Sequence, residues 1–127
     1  MNFNKVIIAG RVTKTPIGKN IPNGTTVTSF GVATNNYFKS KSGETKEKTD
    51  FHNMVMFGNV ADIATKYLEK GSLALFEGRL QTRKWIDKKG NNRYTTEVIV
   101  EKIQLGPKPQ NKKQTKIDVE KTETEKV

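Results

Sequence analysis

Glycines inside β-branched stretches constrain this chain more than any other feature. Gly10 interrupts KVIIAGRV at 5–12, Gly31 interrupts TTVTSFGVAT at 25–34, and Gly78 falls within Leu73–Lys84. Each stretch otherwise reads as a strand, from its Val, Ile, Thr and Phe content. A glycine weakens a flat strand, but at a bulge or sharp bend it removes a clash. Asp50–Phe57 and Tyr94–Ile103 complete a set of five strands. Strands that must bend repeatedly suit a small closed barrel. An open α+β sheet is the competing arrangement.

One helix is expected between the third and fourth strands. Val60, Ile63, Ala64, Tyr67 and Leu68 recur at the spacing that places them on one apolar stripe. Asn59 is the expected N-cap, Asp62 then sits at N3, and Gly71 follows Lys70 as a natural stop. Three strands, a helix and two strands is the element order of the five-stranded OB-fold barrel. The expectation is therefore an all-β OB-fold over residues 1–106. A polar tail at 107–127, with no sustained apolar period, is expected to be disordered. Thr13–Gly24 reads as a loop, and Asn35–Thr49 as a long, Lys-rich hairpin loop around Ser42-Gly43.

Charge narrows the partner. The chain carries 23 basic and 13 acidic side chains, a formal net charge of +10. Residues 1–106 hold 17 basic and 9 acidic ones, net +8, and the remaining 6 and 4 leave the tail at +2. The positive excess belongs to the folded part, as a binding surface for a polyanion requires. Nucleic acid is the first such partner and an anionic membrane the second. The chain has no Cys, which excludes disulfides and thiolate metal sites. His52 is the single His, and Asp50, Asp62, Glu77 and Asp87 are scattered, so neither a paired-His site nor a two-metal site is expected. No Gly-rich phosphate loop occurs. No cofactor, metal or catalytic residue is expected. No apolar run approaches membrane-spanning length and the N-terminus lacks signal-peptide character, so a cytoplasmic location is expected.

The segment RLQTRKWIDKKGNNRYTTEVIV at 79–100 carries the chemistry. Two strand-like arms flank a polar, Gly-containing tip, the pattern of a β-hairpin. Trp85 follows Arg83 and Lys84 directly, and Arg93 and Tyr94 stand on the returning arm. Flat rings stack on unpaired bases while cations meet the phosphates between them. A second cluster surrounds the 35–49 loop, where Phe38 is followed by Lys39 and Lys41, with Lys46 and Lys48 beyond. Phe51 and Phe57 share one face of the third strand by its two-residue period; they either fill the barrel or stack on bases. Phe30, Phe76 and Tyr67 are expected in the core, and Tyr94 is open. Together Lys39, Lys41, Lys46, Lys48, Arg83, Lys84, Lys88, Lys89 and Arg93 make an electrostatic groove, provided the two hairpins lie on the same side of the barrel.

These residues carry a family likeness. NKVIIAGRV at 4–12, PNGTTVTSFGVAT at 22–34, DFHNMVMFG at 50–58, KYLEKGS at 66–72, EGRLQTRKW at 77–85 and YTTEV at 94–98, in this order, resemble the bacterial single-stranded DNA-binding proteins. The resemblance implies an OB-fold, usually a homotetramer, that wraps single-stranded DNA with little sequence preference. It implies base stacking by Phe38, Phe51, Phe57 and Trp85, basic contacts near the DNA path by Arg83, Lys84 and Lys70, and a place near subunit contacts for His52. Positions 38 and 51 often hold Trp in the family; Phe offers less stacking area. Asn53, Asn59 and Gln81 stand where relatives can be basic. The family's long tail usually ends in an acidic tip closed by an apolar pair, which docks replication and repair proteins. This one ends TETEKV, so that docking is not carried over.

The expected function is a non-catalytic coat on single-stranded DNA during replication, recombination and repair. The competing readings are an RNA-directed OB domain or a tail-less replication-restart factor of the same fold, a small nuclease, and a protein-interaction scaffold.

Overall fold

The computed structural model describes residues 1–107. In chain order the elements are β1 (Val6–Val12), β2 (Lys19–Asn20), β3 (Thr26–Lys39), β4 (Thr45–Phe57), α1 (Asn59–Tyr67), β5 (Leu73–Ile86) and β6 (Asn92–Leu105). The sheet runs β1-β5-β6-β4-β3-β2, and β1 also pairs with β3 through Arg11↔Ala33 and Val12↔Val32. That last pairing closes β1, β5, β6, β4 and β3 into a ring. The five-stranded barrel with one helix stands as expected, with the two-residue β2 added along β3. The expected tail lies outside the described residues from 108 onward.

Closure depends on the interior glycines. Gly10 directly precedes the residues of β1 that also pair with β3, and a Cβ there would sit 2.5 Å from the Ala33 carbonyl oxygen. At Gly78 a Cβ would collide with the Ile99 carbonyl. Gly78 adjoins a register shift at Glu77/Gly78, a bulge that bends β5 against β6.

Inside the ring, Phe30 and Phe76 meet edge to face with centroids 5.9 Å apart. Val12, Val32, Met54, Met56, Val98 and Val100 pack around them. The helix closes one end through Ala61, Ala64 and Leu68. Its buried stripe is rotated from the expected one: Ala61 joins it, while Ile63 is exposed and Tyr67 is 50% exposed. Tyr67 is therefore not core. The alanines seat the helix close, and the longer side chains on the flank are left in solvent. The N-cap is Gly58, not Asn59, and no side chain caps the helix. Gly58 has φ +65, which the sharp exit from β4 requires and a side chain would resist. Asp62 thereby moves one place further in, though still in the first turn. The helix also ends earlier than expected, at Tyr67 with Leu68 as C-cap; Gly71 belongs to the turn beyond.

The largest departure concerns residues 35–49. They form a continuous ladder from Val27↔Phe57 to Lys39↔Thr45, and only Ser40–Glu44 turn. A ribbon with both faces in water has no apolar alternation, so its sequence looks like a loop. Among the described residues no helix is long and apolar enough to cross a membrane.

Candidate nucleic-acid interface

Two ribbons project from the barrel in the same direction. The β3–β4 ribbon ends at Ser40–Glu44, and the β5–β6 ribbon ends at Asp87–Asn91. Both tips lie at the start of the returning strand, β4 or β6. Those two strands run parallel, paired through Met54↔Val98 and Val55↔Ile99. Their starts therefore share one end of the barrel, and the hairpins meet the condition for a common groove. At about 3.3 Å per residue, the tips reach roughly 20–30 Å beyond that pairing.

Strand alternation sorts the side chains onto two faces. Val55 and Ile99, although buried, stand outside the core cluster that holds Met54, Met56, Val98 and Val100, and so mark the outer side of the sheet. Phe57 and Phe51 share this side on β4, and both are open, at 48% and 71% exposure. They do not fill the barrel; Met54 and Met56 do. On β5 and β6 the outer side carries Trp85, Arg83, Arg93 and Thr95. Counting back four residues from Val55 and Ile99 reaches Phe51 and Thr95, so Phe51 and the bonding partner of Trp85 stand at one level.

Trp85 is oriented by its polar edge. Its Nε1 donates to Thr95 Oγ1 at 2.8 Å, which leaves the ring 42% exposed. Arg83 Nε donates to Glu97 Oε1 at 2.9 Å, and its terminal nitrogens are left for a second acceptor. Arg93 Nε donates to Asp87 Oδ2 at 2.9 Å. Asp87 Oδ1 also accepts the backbone N–H groups of Lys89 and Asn91, and these bonds shape the tip that presents Lys88. The Asn91 N–H is the main influence holding the Asp87 carboxyl below its ordinary value, with the Arg93 guanidinium and the Lys89 N–H adding to it against partial desolvation.

The other expected site residues divide. Lys39 lies on the outer side of its ribbon, and Lys41 lies in the tip. Phe38 and Lys84 lie on the inner side, continuous with the barrel interior, and so face away from Phe51 and Trp85. Lys70 is not brought to the group. It sits in the turn after α1, where its N–H donates to Thr15 Oγ1, at the opposite end of β5 from Arg83. His52 is on the inner side, with Nε2 2.8 Å from Thr34 Oγ1.

Two further tyrosines are exposed on the ribbons: Tyr37, which was not among the expected site residues, and Tyr94, which the sequence left open. Tyr37 shares the outer side with Phe51 and Phe57, and Tyr94 lies on the inner side opposite Lys84. Which of the neighbours Tyr37 and Phe38 faces outward follows from unbroken alternation along β3 from the buried Phe30 and Val32. Among the described residues no His, Cys, Asp and Glu cluster could hold a metal ion.

Known proteins place this arrangement. A solved complex described as Plasmodium falciparum SSB complex with ssDNA superposes with a TM-score of 0.78 at 32% identity, covering 84% of this chain and 97% of that one. The sequence profile of the single-strand binding protein family matches residues 3–106, which spans the whole barrel and both ribbons. The chain belongs to the single-strand binding protein family.

Proposed function

We propose that this single-stranded DNA-binding protein holds its strand across the outer sides of β5, β6 and β4. Bases stack on Trp85, Phe51 and Phe57, while Arg83, Arg93, Lys39, Lys41 and Lys88 meet phosphates. The carrying observation is that three open rings share one side of neighbouring strands with cations between and beyond them. Stacking is tolerant of sequence because every base has a π face, so the protein coats rather than reads. Phe38, Lys84 and Lys70 belong to the same reading as contacts outside this row, reached where the strand leaves it.

The role is a non-catalytic coat that keeps exposed strands from reannealing and from nucleases during replication, recombination and repair. Its place of action under this reading is the cytoplasm, at the nucleoid. The OB-fold domain is residues 1–106. A homo-oligomer, a tetramer by family likeness, extends residence by avidity. Val6–Gly10 of β1 ladder only with β5, and an unpaired strand edge beside exposed Ile7 suits a second copy.

Titration with polythymidine while following Trp85 fluorescence tests the reading. Quenching that weakens with salt, with a slope of about -0.7 per neutralised phosphate, is expected. No quenching at low salt, with no mobility shift in a gel, would remove it. Competition by RNA of equal length distinguishes an RNA-directed domain.

A further inference from the structure

The edge of β3 turned away from β4 is covered in two pieces. Toward one end, Thr13 N–H donates to the Gly31 carbonyl at 2.9 Å, continuing the β1 pairing. Toward the other, Lys19 pairs with Val27, and Ile21 N–H donates to the Thr25 carbonyl at 3.0 Å. A strand turns the polar groups of alternate residues to alternate neighbours, so Thr25, Val27, Ser29 and Gly31 all address this edge. Ser29 falls between the two pieces, and its N–H and C=O have no partner among the described residues. Pro16 accounts for the gap. It lies buried in the connecting segment and has no N–H to give. The carbonyl that follows it, on Ile17, accepts from Thr28 Oγ1 at 2.9 Å instead.

The gap opens into a groove of about 330 Å³ lined by Lys14, Ile17, Lys19, Ile21, Val27 and Ser29. Among the described residues no carboxylate lines it, and Lys14 and Lys19 make no ion pair. It continues the proposed binding face: Val27 stands directly across from Phe57, and Ser29 across from Val55. Two features choose the occupant. One free N–H beside one free C=O matches the adjoining acceptor and donor on the Watson–Crick edge of an unpaired base. A peptide strand needs several rungs in a row, and both neighbouring rungs are already filled. Two ammonium groups without a counter-ion suit the phosphates on either side of that base.

We propose that this groove takes one nucleotide of the bound strand by the edge of its base and not by its face. The Ser29 backbone holds the edge, Ile17 and Ile21 flank the base, and Lys14 and Lys19 meet the adjoining phosphates. The strand thereby gains one anchored position beside a row of stacked ones. The anchor rests on the outer-face reading above and extends it past Phe57.

An oligothymidine of about 12 nucleotides, within what a single OB-fold covers, tests this when one N3-methylthymidine is moved along it. The methyl removes the donor on the base edge and keeps the ring. At one position affinity should fall by about five- to thirtyfold, the loss of one or two hydrogen bonds. Stacked positions should tolerate the methyl within about twofold. In hydrogen exchange the Ser29 amide should be fast in the free protein and slowed by the unmodified strand. Lys14→Gln/Lys19→Gln should lower the salt slope by roughly 1.4 and leave Trp85 quenching at saturation unchanged. Both lysines are exposed, and unchanged circular dichroism and melting check that the fold is intact. Tolerance of the methyl at every position, or a Ser29 amide equally fast with and without the strand, would overturn the anchor. Equal slowing by thymidine monophosphate alone at the same concentration would assign the groove to free nucleotides and overturn its place on the strand. Failure of the parent protein to bind the unmodified oligothymidine would remove the outer-face reading, and the anchor with it.

Discussion

Trp85 and Thr95 are joined across β5 and β6 by a 2.8 Å hydrogen bond from the indole Nε1 to Oγ1. The bond uses the ring's edge and leaves its face open, as the proposed stacking on a base requires. Thr95→Val keeps the shape and removes the acceptor. A side-chain hydrogen bond is worth about 1 kcal/mol. Affinity for single-stranded DNA should fall, with faster Trp85 motion in fluorescence anisotropy; because the free protein makes the bond, the melting temperature should fall too, by at most roughly 4–8 °C. Equal affinity with a freed ring would show that orientation does not matter.

Phe51→Ala and Trp85→Ala should each cost about 1–3 kcal/mol of binding, the range for one stacked base. The salt slope should stay constant, since neither ring neutralises phosphate. A slope that drops with the ring would instead mean that the strand had shifted off its cations. Fluorescence reports the first variant, and a filter or gel assay both.

Gly78→Ala should destabilise the barrel without touching the proposed binding face. The added methyl meets the Ile99 carbonyl, which is backbone and cannot rotate away. Overpacking of this kind typically costs about 1–3 kcal/mol. In a domain of this size that lowers Tm by roughly 4–20 °C. A melt by circular dichroism measures it, and an unchanged Tm would mean that β5 and β6 can separate locally.

Asp87 gives the tip a pH dependence. Its carboxyl is depressed below the ordinary 3.8 when folded. The bonds to Asn91, Lys89 and Arg93 therefore contribute fully above that ordinary value and are lost as pH falls through the depressed one. Side-chain NMR should show Asp87 titrating below the other aspartates, with the Asn91 and Lys89 amide shifts moving at the same pH. Asp87→Asn should abolish that shared transition. Amides that titrate at the ordinary value would contradict the depression.

The sequence made the packed parts legible and hid the wet ones. Phe30 and Phe76 sit among apolar neighbours and declare themselves as core; Gly10, Gly31 and Gly78 declare bending. Tyr67 misled because a helical stripe fixes spacing but not rotation, and the small Ala61 turned the helix toward itself. Asn35–Thr49 misled because a strand bathed on both sides needs no apolar alternation. The rings and cations at 83–94 were readable as a candidate site, and so was the sharing of one strand face by Phe51 and Phe57. Their sorting into outer and inner sides was not, since it rests on each strand running unbroken out of the barrel. The inner position of Phe38 needed the ladder from Val27 to Lys39 to be seen. Tyr37 carried no signal of its own beyond adjacency to Phe38.

The two-pair seam between β4 and β6 leaves the hairpins free to change length independently of the barrel. Two residues added to each arm of a hairpin would move its tip outward by about 7 Å and preserve every side chain's orientation. A single residue added to one arm would invert the orientation of everything beyond it. Insertions within these arms across relatives should therefore come in even steps, and an odd one would mark a protein that has exchanged the roles of its two surfaces.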